Sequence, residues 1–262
     1  MSSNVVIQKS SALAPVHILN SSGASQVVLV CEHASNVIPK MYDNLGLSRE
    51  ARNSHVVWDP GALGVAQYLS EQLDAVLVAG GVSRLVYDCN RPPDAPDAMP
   101  ARSELFDIPG NLGLGAAEIT KRVSRYYQPF CDAVSAVIVK TPVPGVLVTV
   151  HSFTPVFMGQ NRSVEIGILH DSDSRLADEM MRVASKFTKL NVQRNQPYGV
   201  EDGVTHTLKI HGIKNNMLNV MLEIRNDLIS TVEQQEKIAT QIAGMLSAAL
   251  AKLDQPNQGN AT

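Results

Sequence analysis

Two histidines and a glutamate stand where three apolar runs end, and together they could hold a metal ion and move a proton. VVLV (27–30) leads into Cys31-Glu32-His33, VLVTV (146–150) into His151-Ser152, and NVML (219–222) into Glu223-Ile224-Arg225. Runs of this kind read as buried strands, and in open α/β sheets the ligand crevice lies beyond the carboxyl ends of the strands. A neutral imidazole there is a natural ligand for a divalent cation such as zinc, and a carboxylate beside it is a natural general base. Three such endings predict one polar site. Each also has a plainer explanation as a satisfied polar group that closes a strand.

Other residues could complete that site. Asp59, in WDPGA, reads on its own as a helix N-cap with Pro60 at the first helical position. It could equally be the carboxylate of a two-His-plus-carboxylate hydrolytic zinc site, which leaves one position open for water. Glu32, adjacent to His33, is the alternative carboxylate. Arg84, Asn90 and Arg91 lie in SRLVYDCNRPP. A guanidinium fork binds a carboxylate bidentately and an amide can add a donor beside it; Asp88 is expected to pair with one of the two arginines and leave the other free. Glu223 and Arg225, two apart on a strand, point to one face. They suit a base beside a cation, or an internal ion pair. His206 and His211 flank Lys209 in a glycine-bearing loop, as substrate contacts or surface residues, whereas His17, His55 and His170 read as structural. GGVSR and GNLGLG lack the Walker lysine and the dinucleotide glycine spacing. No G-x-S-x-G elbow is present, which disfavours a serine hydrolase.

The elements that must position these residues alternate between strand and helix. Leu63, Ala66, Leu69 and Leu73 recur at helical spacing after Pro60. VLVAGG (76–81) and RLVYDC (84–89) read as strands, and the proline-rich segment 91–114 as a long ordered loop of the kind that serves as a lid. A helix is expected over 115–139, a second proline-bearing loop over 152–163, a strand at 165–169 and an amphipathic helix over 172–190. Residues 195–217 look irregular, and a last helix should start at a Ser230-x-x-Glu233 capping box and run to about 253. This pattern points to a three-layer α/β/α sandwich around a mixed, mostly parallel sheet.

Composition sets outer limits. The chain has 262 residues, 44% hydrophobic and 18% charged, with 22 basic and 25 acidic residues and a net charge of −3. That is enough apolar content for a sizeable core, and no linker divides the chain, so a single domain over 1–262 is expected, ordered from about 15 to 253 with flexible tails. No basic stripe suggests nucleic acid, no run reaches the length of a membrane span, and no secretory signal opens the chain. Three widely spaced cysteines point to reduced thiols and a cytoplasmic location.

Taken in order, CEHASNVIP, WDPGA, SRLVYDCNRPP, TVHSFTP and LEIRNDL resemble the N-formylglutamate amidohydrolase family from about Val27 to Leu228. The resemblance implies a zinc-carboxypeptidase-like fold, with a mixed sheet of about eight strands, and one zinc ion (or another divalent metal) at an amide-hydrolysing site. His33 and His151 match the metal histidines, and Asp59 or Glu32 the carboxylate ligand. Asn90 and Arg91 match a pair that holds a substrate carboxylate, with Arg84 or Arg225 for a second carboxylate or the oxyanion, and Glu223 matches the catalytic glutamate. The implied substrate is a small acidic N-acyl amino acid, N-formyl-L-glutamate first among them. The alternatives are a different N-acyl compound and non-catalytic binding of an acidic metabolite. E-H-A-S stands where the family's deformylases read closer to P-H-S-G, and Val150 stands where some relatives carry an acid.

Overall fold

The computed structural model describes residues 14–254, so the expected flexible tails fall outside it but for Ala14 and Asp254. Seven strands form the main sheet: β1 (Val16–Leu19), β2 (Val27–Cys31), β3 (Val76–Gly80), β4 (Val146–Phe153), β5 (Ile166–Leu169), β6 (Val192–Arg194) and β7 (Leu218–Arg225). Their spatial order is β1-β3-β2-β4-β7-β5-β6. β3, β2, β4 and β7 run parallel to their neighbours, as do β5 and β6, while β1 is antiparallel to β3 and β5 to β7. The sheet is therefore mixed and mostly parallel, as expected. It has seven strands rather than about eight.

Helices cover both faces. α1 (Ala62–Leu73) packs on one face; α2 (Ala116–Arg122) passes through a π turn, Val123–Tyr127, into α3 (Gln128–Lys140) on the other. The expected single helix over 115–139 thus carries a bulge, because Pro129 has no N–H to continue the ladder. α4 (Arg175–Val183) and α5 (Val232–Leu253) join α1. Ala66, Leu69, Met180, Ile242 and Leu246 meet Leu29, Val148 and Leu222 on that side. Phe130, Val134 and Tyr87 meet Val30, Leu147 and Met221 on the other. Alternate residues of β2, β4 and β7 feed the two cores, which is why these strands read as unbroken apolar runs. Each fully buried branched side chain contributes about 1.5–3 kcal/mol.

Four local expectations differ from the structure. RLVYDC forms turns, not a strand: Leu85, Val86 and Tyr87 are buried, but Asp88 N donates to Ala98 O (2.8 Å) instead of joining a ladder. A short apolar run cannot by itself separate the two cases. The segment 91–114 includes a small hairpin, Arg102–Ser103 with Phe106–Asp107. The amphipathic helix is shorter than 172–190, continuing past Val183 only as a 3₁₀ turn, Ala184–Lys186. The last helix is capped by Thr231 and Gln234, one residue later than expected. Cys31, Cys89 and Cys131 are free thiols. Among the described residues no helix is long and apolar enough to cross a membrane.

Candidate metal centre and active site

The three strands are adjacent in the sheet: β2 leads into His33 two residues past its end, and β4 and β7 carry His151 and Glu223 two residues before theirs. β4 lies between β2 and β7, and His151 stands opposite Glu223 in the β4–β7 register. Because these strands are parallel, their carboxyl ends open on one side. A cavity of about 230 Å³ lies there, lined by His33, Asp59, His151, Arg84, Tyr198 and Glu223 among others.

Asp59 joins them from the loop before α1. That helix starts at Ala62 behind Gly61, whose φ of 82° favours glycine, and no side chain caps it. The capping role suggested for Asp59 is therefore absent. Its N–H instead donates to His33 O (3.0 Å), and its Oδ2 accepts from Ser152 N (3.2 Å). This aims the carboxylate at both histidines.

His33 Nδ1, His151 Nδ1 and Asp59 Oδ2 form a triangle. Its edges are 3.3 Å (His33–Asp59), 3.2 Å (His33–His151) and 2.9 Å (His151–Asp59). Tetrahedral zinc with bonds near 2.0–2.1 Å needs ligand atoms ~3.3 Å apart, so the three donors fit one ion. The far nitrogen of each ring faces a carboxylate. His33 Nε2 lies 2.7 Å from Asp88 Oδ1, and His151 Nε2 lies 3.1 Å from Glu32 Oε2, though out of line for a hydrogen bond. With the ring protons on those nitrogens, two lone pairs and a carboxylate oxygen point at one another, an arrangement that a cation relieves. Glu32 thus sits behind His151, and Asp59 occupies the triangle.

The electrostatics agree. Burial disfavours charge at His151, yet Glu32 and Asp59 raise its pKa well above the ordinary value. Burial likewise works against ionised Asp88, but His33 and Arg84 hold it well below the usual carboxylate range. Four carboxylates (Glu32, Asp59, Asp88, Glu223) surround the two rings, and Arg84 is the cation that pairs with two of them, Asp59 and Asp88. That surplus of negative charge suits a divalent ion. Glu223 differs from the rest: burial pushes it up to about 7, against the opposing pull of His151. Its Oε2 is buried without a hydrogen-bond partner. At Gly167, the register partner of Glu223 on β5, a Cβ would lie 2.0 Å from Gln196 O and 3.1 Å from Glu223 Cβ, so only glycine leaves room.

The model of the N-formylglutamate amidohydrolase family matches residues 25–230. The chain belongs to this family. A solved gene product of Agrobacterium tumefaciens is 51% identical, with a TM-score of 0.90 and coverage of 93% of this chain and 98% of that one. The N-formylglutamate amidohydrolase of Ralstonia eutropha, 18% identical, covers 90% of this chain and 99% of its own, with a TM-score of 0.60, and so shares the fold. No curated protein sequence matches.

Among the family's candidate substrate groups, Arg84 spans Asp59 Oδ1 (3.3 Å) and Asp88 Oδ2 (2.8 Å) and lines the cavity. Asn90 and Arg91 line it too, but their polar atoms are largely engaged. Asn90 Nδ2 donates to Val204 O (2.6 Å) and its Oδ1 accepts from Thr207 N (3.0 Å). Arg91 bonds Asp97 and the carbonyls of residues 90, 202 and 203. Arg225 lies apart from the cavity lining, paired with Asp227 and Glu165 rather than with Glu223. His206 bonds Tyr127, and His55, read as structural, bonds Glu104 (2.8 Å) where both line the cavity. Asp88's link to His33 and the position of Tyr198 in the cavity wall had no sequence signal, since both depend on loops meeting in space.

The Asn90 clamp has a measurable consequence. Asn90→Ala leaves a buried carbonyl and a buried N–H unpaired, which should lower unfolding free energy by about 1–3 kcal/mol per group. Urea unfolding followed by circular dichroism checks this; a loss below half a kcal/mol would show that water replaces the amide.

Proposed function

We propose that this protein is a metal-dependent amidohydrolase that removes an acyl group, formyl above all, from an N-acyl amino acid, with N-formyl-L-glutamate the leading substrate. The observation that carries this reading is the His33–Asp59–His151 triangle facing the unpartnered carboxylate oxygen of Glu223 across one cavity, in a chain of this family. Zinc held by these three residues would supply a Lewis acid and lower the pKa of water at the site toward ~7.

The chain's own residues account for the rest. Asp88, bonded to His33 Nε2, holds that imidazole in the orientation that presents Nδ1, and the Glu32 carboxylate lies behind Nε2 of His151. Glu223 takes a proton from the attacking water as its oxygen adds to the formyl carbon. It then delivers that proton to the amide nitrogen as the C–N bond breaks, yielding formate and the amino acid. Burial raises the Glu223 pKa in the metal-free protein, and a carboxyl pushed toward neutrality suits both halves of this exchange. Arg84 and Arg91 make the cationic wall that meets the α-carboxylate, and Asn90 fixes the loop that carries Arg91.

The test is formate release from N-formyl-L-glutamate by zinc-loaded protein beside a chelated sample. Formate from the loaded protein alone is the expected result. No formate despite stoichiometric metal would discard the substrate and keep the metallohydrolase. Failure to bind metal would overturn the reading in favour of simple anion binding.

A further inference from the structure

Arg162 differs from the other arginines around this site. Arg84 pairs with Asp59 and Asp88, Arg91 with Asp97, and Arg225 with Glu165 and Asp227. Among the described residues, no carboxylate pairs with Arg162. Its guanidinium lies instead against three aromatic rings, 4.4 Å from the centroid of Phe157, 4.9 Å from Tyr198 and 5.5 Å from Phe153. Nη1 donates to Tyr198 Oη (3.1 Å) and Thr154 O (3.4 Å).

The placement is rigid at its base. Arg162 follows a small hairpin, Val156–Phe157 with Gln160–Asn161, and its backbone is bonded at both ends. Its N–H donates to Pro155 O (2.8 Å), and its carbonyl accepts from Arg225 Nη1 (3.1 Å). Phe153, Thr154 and Tyr198, which hold the guanidinium, line the same cavity as Glu223 and the metal-ligand triangle. Burial pushes the Tyr198 phenol up to about 12, so it stays neutral and can accept from Arg162. Aromatic stacking fixes a guanidinium's plane while leaving its N–H edges available. Nε and Nη2 of Arg162 make no hydrogen bond to a described residue, and that pair forms one edge of the fork.

We infer that Arg162 is the specificity residue for a dicarboxylic substrate: from behind the Phe153, Thr154 and Tyr198 section of the cavity wall, its free edge receives the side-chain carboxylate of the N-acyl amino acid. This rests on the amidohydrolase reading and extends it, since a dianionic substrate needs a second cation and, among the described residues, no carboxylate neutralises Arg162. Stacking over Phe153 and Tyr198 would set the side-chain length accepted.

The experiment compares wild type, Arg162→Gln and Arg162→Lys on N-formyl-L-glutamate and on its neutral isostere N-formyl-L-glutamine. Arg162→Gln should raise KM for the glutamate substrate about 10- to 100-fold, the worth of a charge-assisted bidentate contact, with kcat little changed. Its kinetics on the glutamine substrate should stay within about twofold of wild type, which also reports intact folding, and Arg162→Lys should recover part of the loss. Equal losses on both substrates, or no loss on either, would overturn the assignment. If wild type hydrolyses neither compound, the amidohydrolase reading fails separately. Calorimetric binding of glutarate to wild type and Arg162→Gln then decides: weaker binding to the variant supports an anion site at Arg162, and equal binding removes it.

Discussion

Glu223→Gln is expected to lower turnover of N-formyl-L-glutamate by about 10²- to 10⁴-fold while one equivalent of metal remains bound. The substitution keeps the shape of the side chain and removes the group that accepts a proton. Glu223 lies outside the donor triangle, and its Oε2 is buried without a hydrogen-bond partner. Kinetics alongside elemental analysis of the dialysed variant check this; parallel loss of metal and activity would make Glu223 a ligand and end its role as base. A second readout follows from its pKa. The folded-state value of about 7 exceeds the ordinary carboxylate value, so above pH 7 the metal-free wild type carries a buried charge that the unfolded chain solvates better. The glutamine variant has no such cost. Stripped of metal, it should be more stable than wild type above pH 7, and the excess should vanish as pH falls through about 7 toward about 4. Urea melts across that range measure the sign directly.

Asp59→Asn should abolish tight metal binding, and activity with it. The change removes the carboxylate donor from a triangle whose other two members are imidazoles, and leaves Arg84 Nη1 without its carboxylate. Burial opposes the charge on Asp59, but His33 and His151 overcome it and drive the pKa far below the usual carboxylate range, so the ionised form is the one the site is built around. Asp88→Asn is the informative comparison. Asp88 touches the far nitrogen of His33, a position whose loss costs about 10- to 100-fold in metal affinity rather than the whole site. Titration of each metal-free variant with zinc ranks the two. Should Asp88→Asn prove as damaging as Asp59→Asn, the donor set would have to be redrawn to include Asp88.

The candidate site of this protein is legible in its primary structure wherever it depends on residue type and on position along a strand. His33, His151 and Glu223 announce themselves because each closes a run of β-forming apolar residues, and strand ends open onto ligand crevices whatever the detailed topology. The alternation of strands and helices likewise implies the layered sandwich. Loops are less readable. RLVYDC has the composition of a strand but is held in turns by Asp88, whose two oxygens reach His33 and Arg84. Arg225 has the type and register of a substrate residue, yet Glu165 and Asp227, brought to it by folding, take its fork.

What the sequence determined by itself was the inventory: two imidazoles, a buried glutamate, a choice of carboxylates and a set of arginines, each tied to a strand or loop by local pattern. Tertiary structure decided which of them meet. The order β2-β4-β7 sets three strand ends side by side, although 114 residues of chain lie between positions 31 and 146. Gly61 starts α1 without a side-chain cap and frees Asp59 for the triangle with His33 and His151, while Glu32 falls behind His151. Asn90 and Arg91 bond the 202–207 segment, whereas Arg162 lies against three rings with no carboxylate partner among the described residues. The physical reason is the same in each case. Propensity and periodicity act over a few residues and are written in order along the chain, whereas a buried charge takes its role from whichever partner the packed core brings within about 3 Å of it.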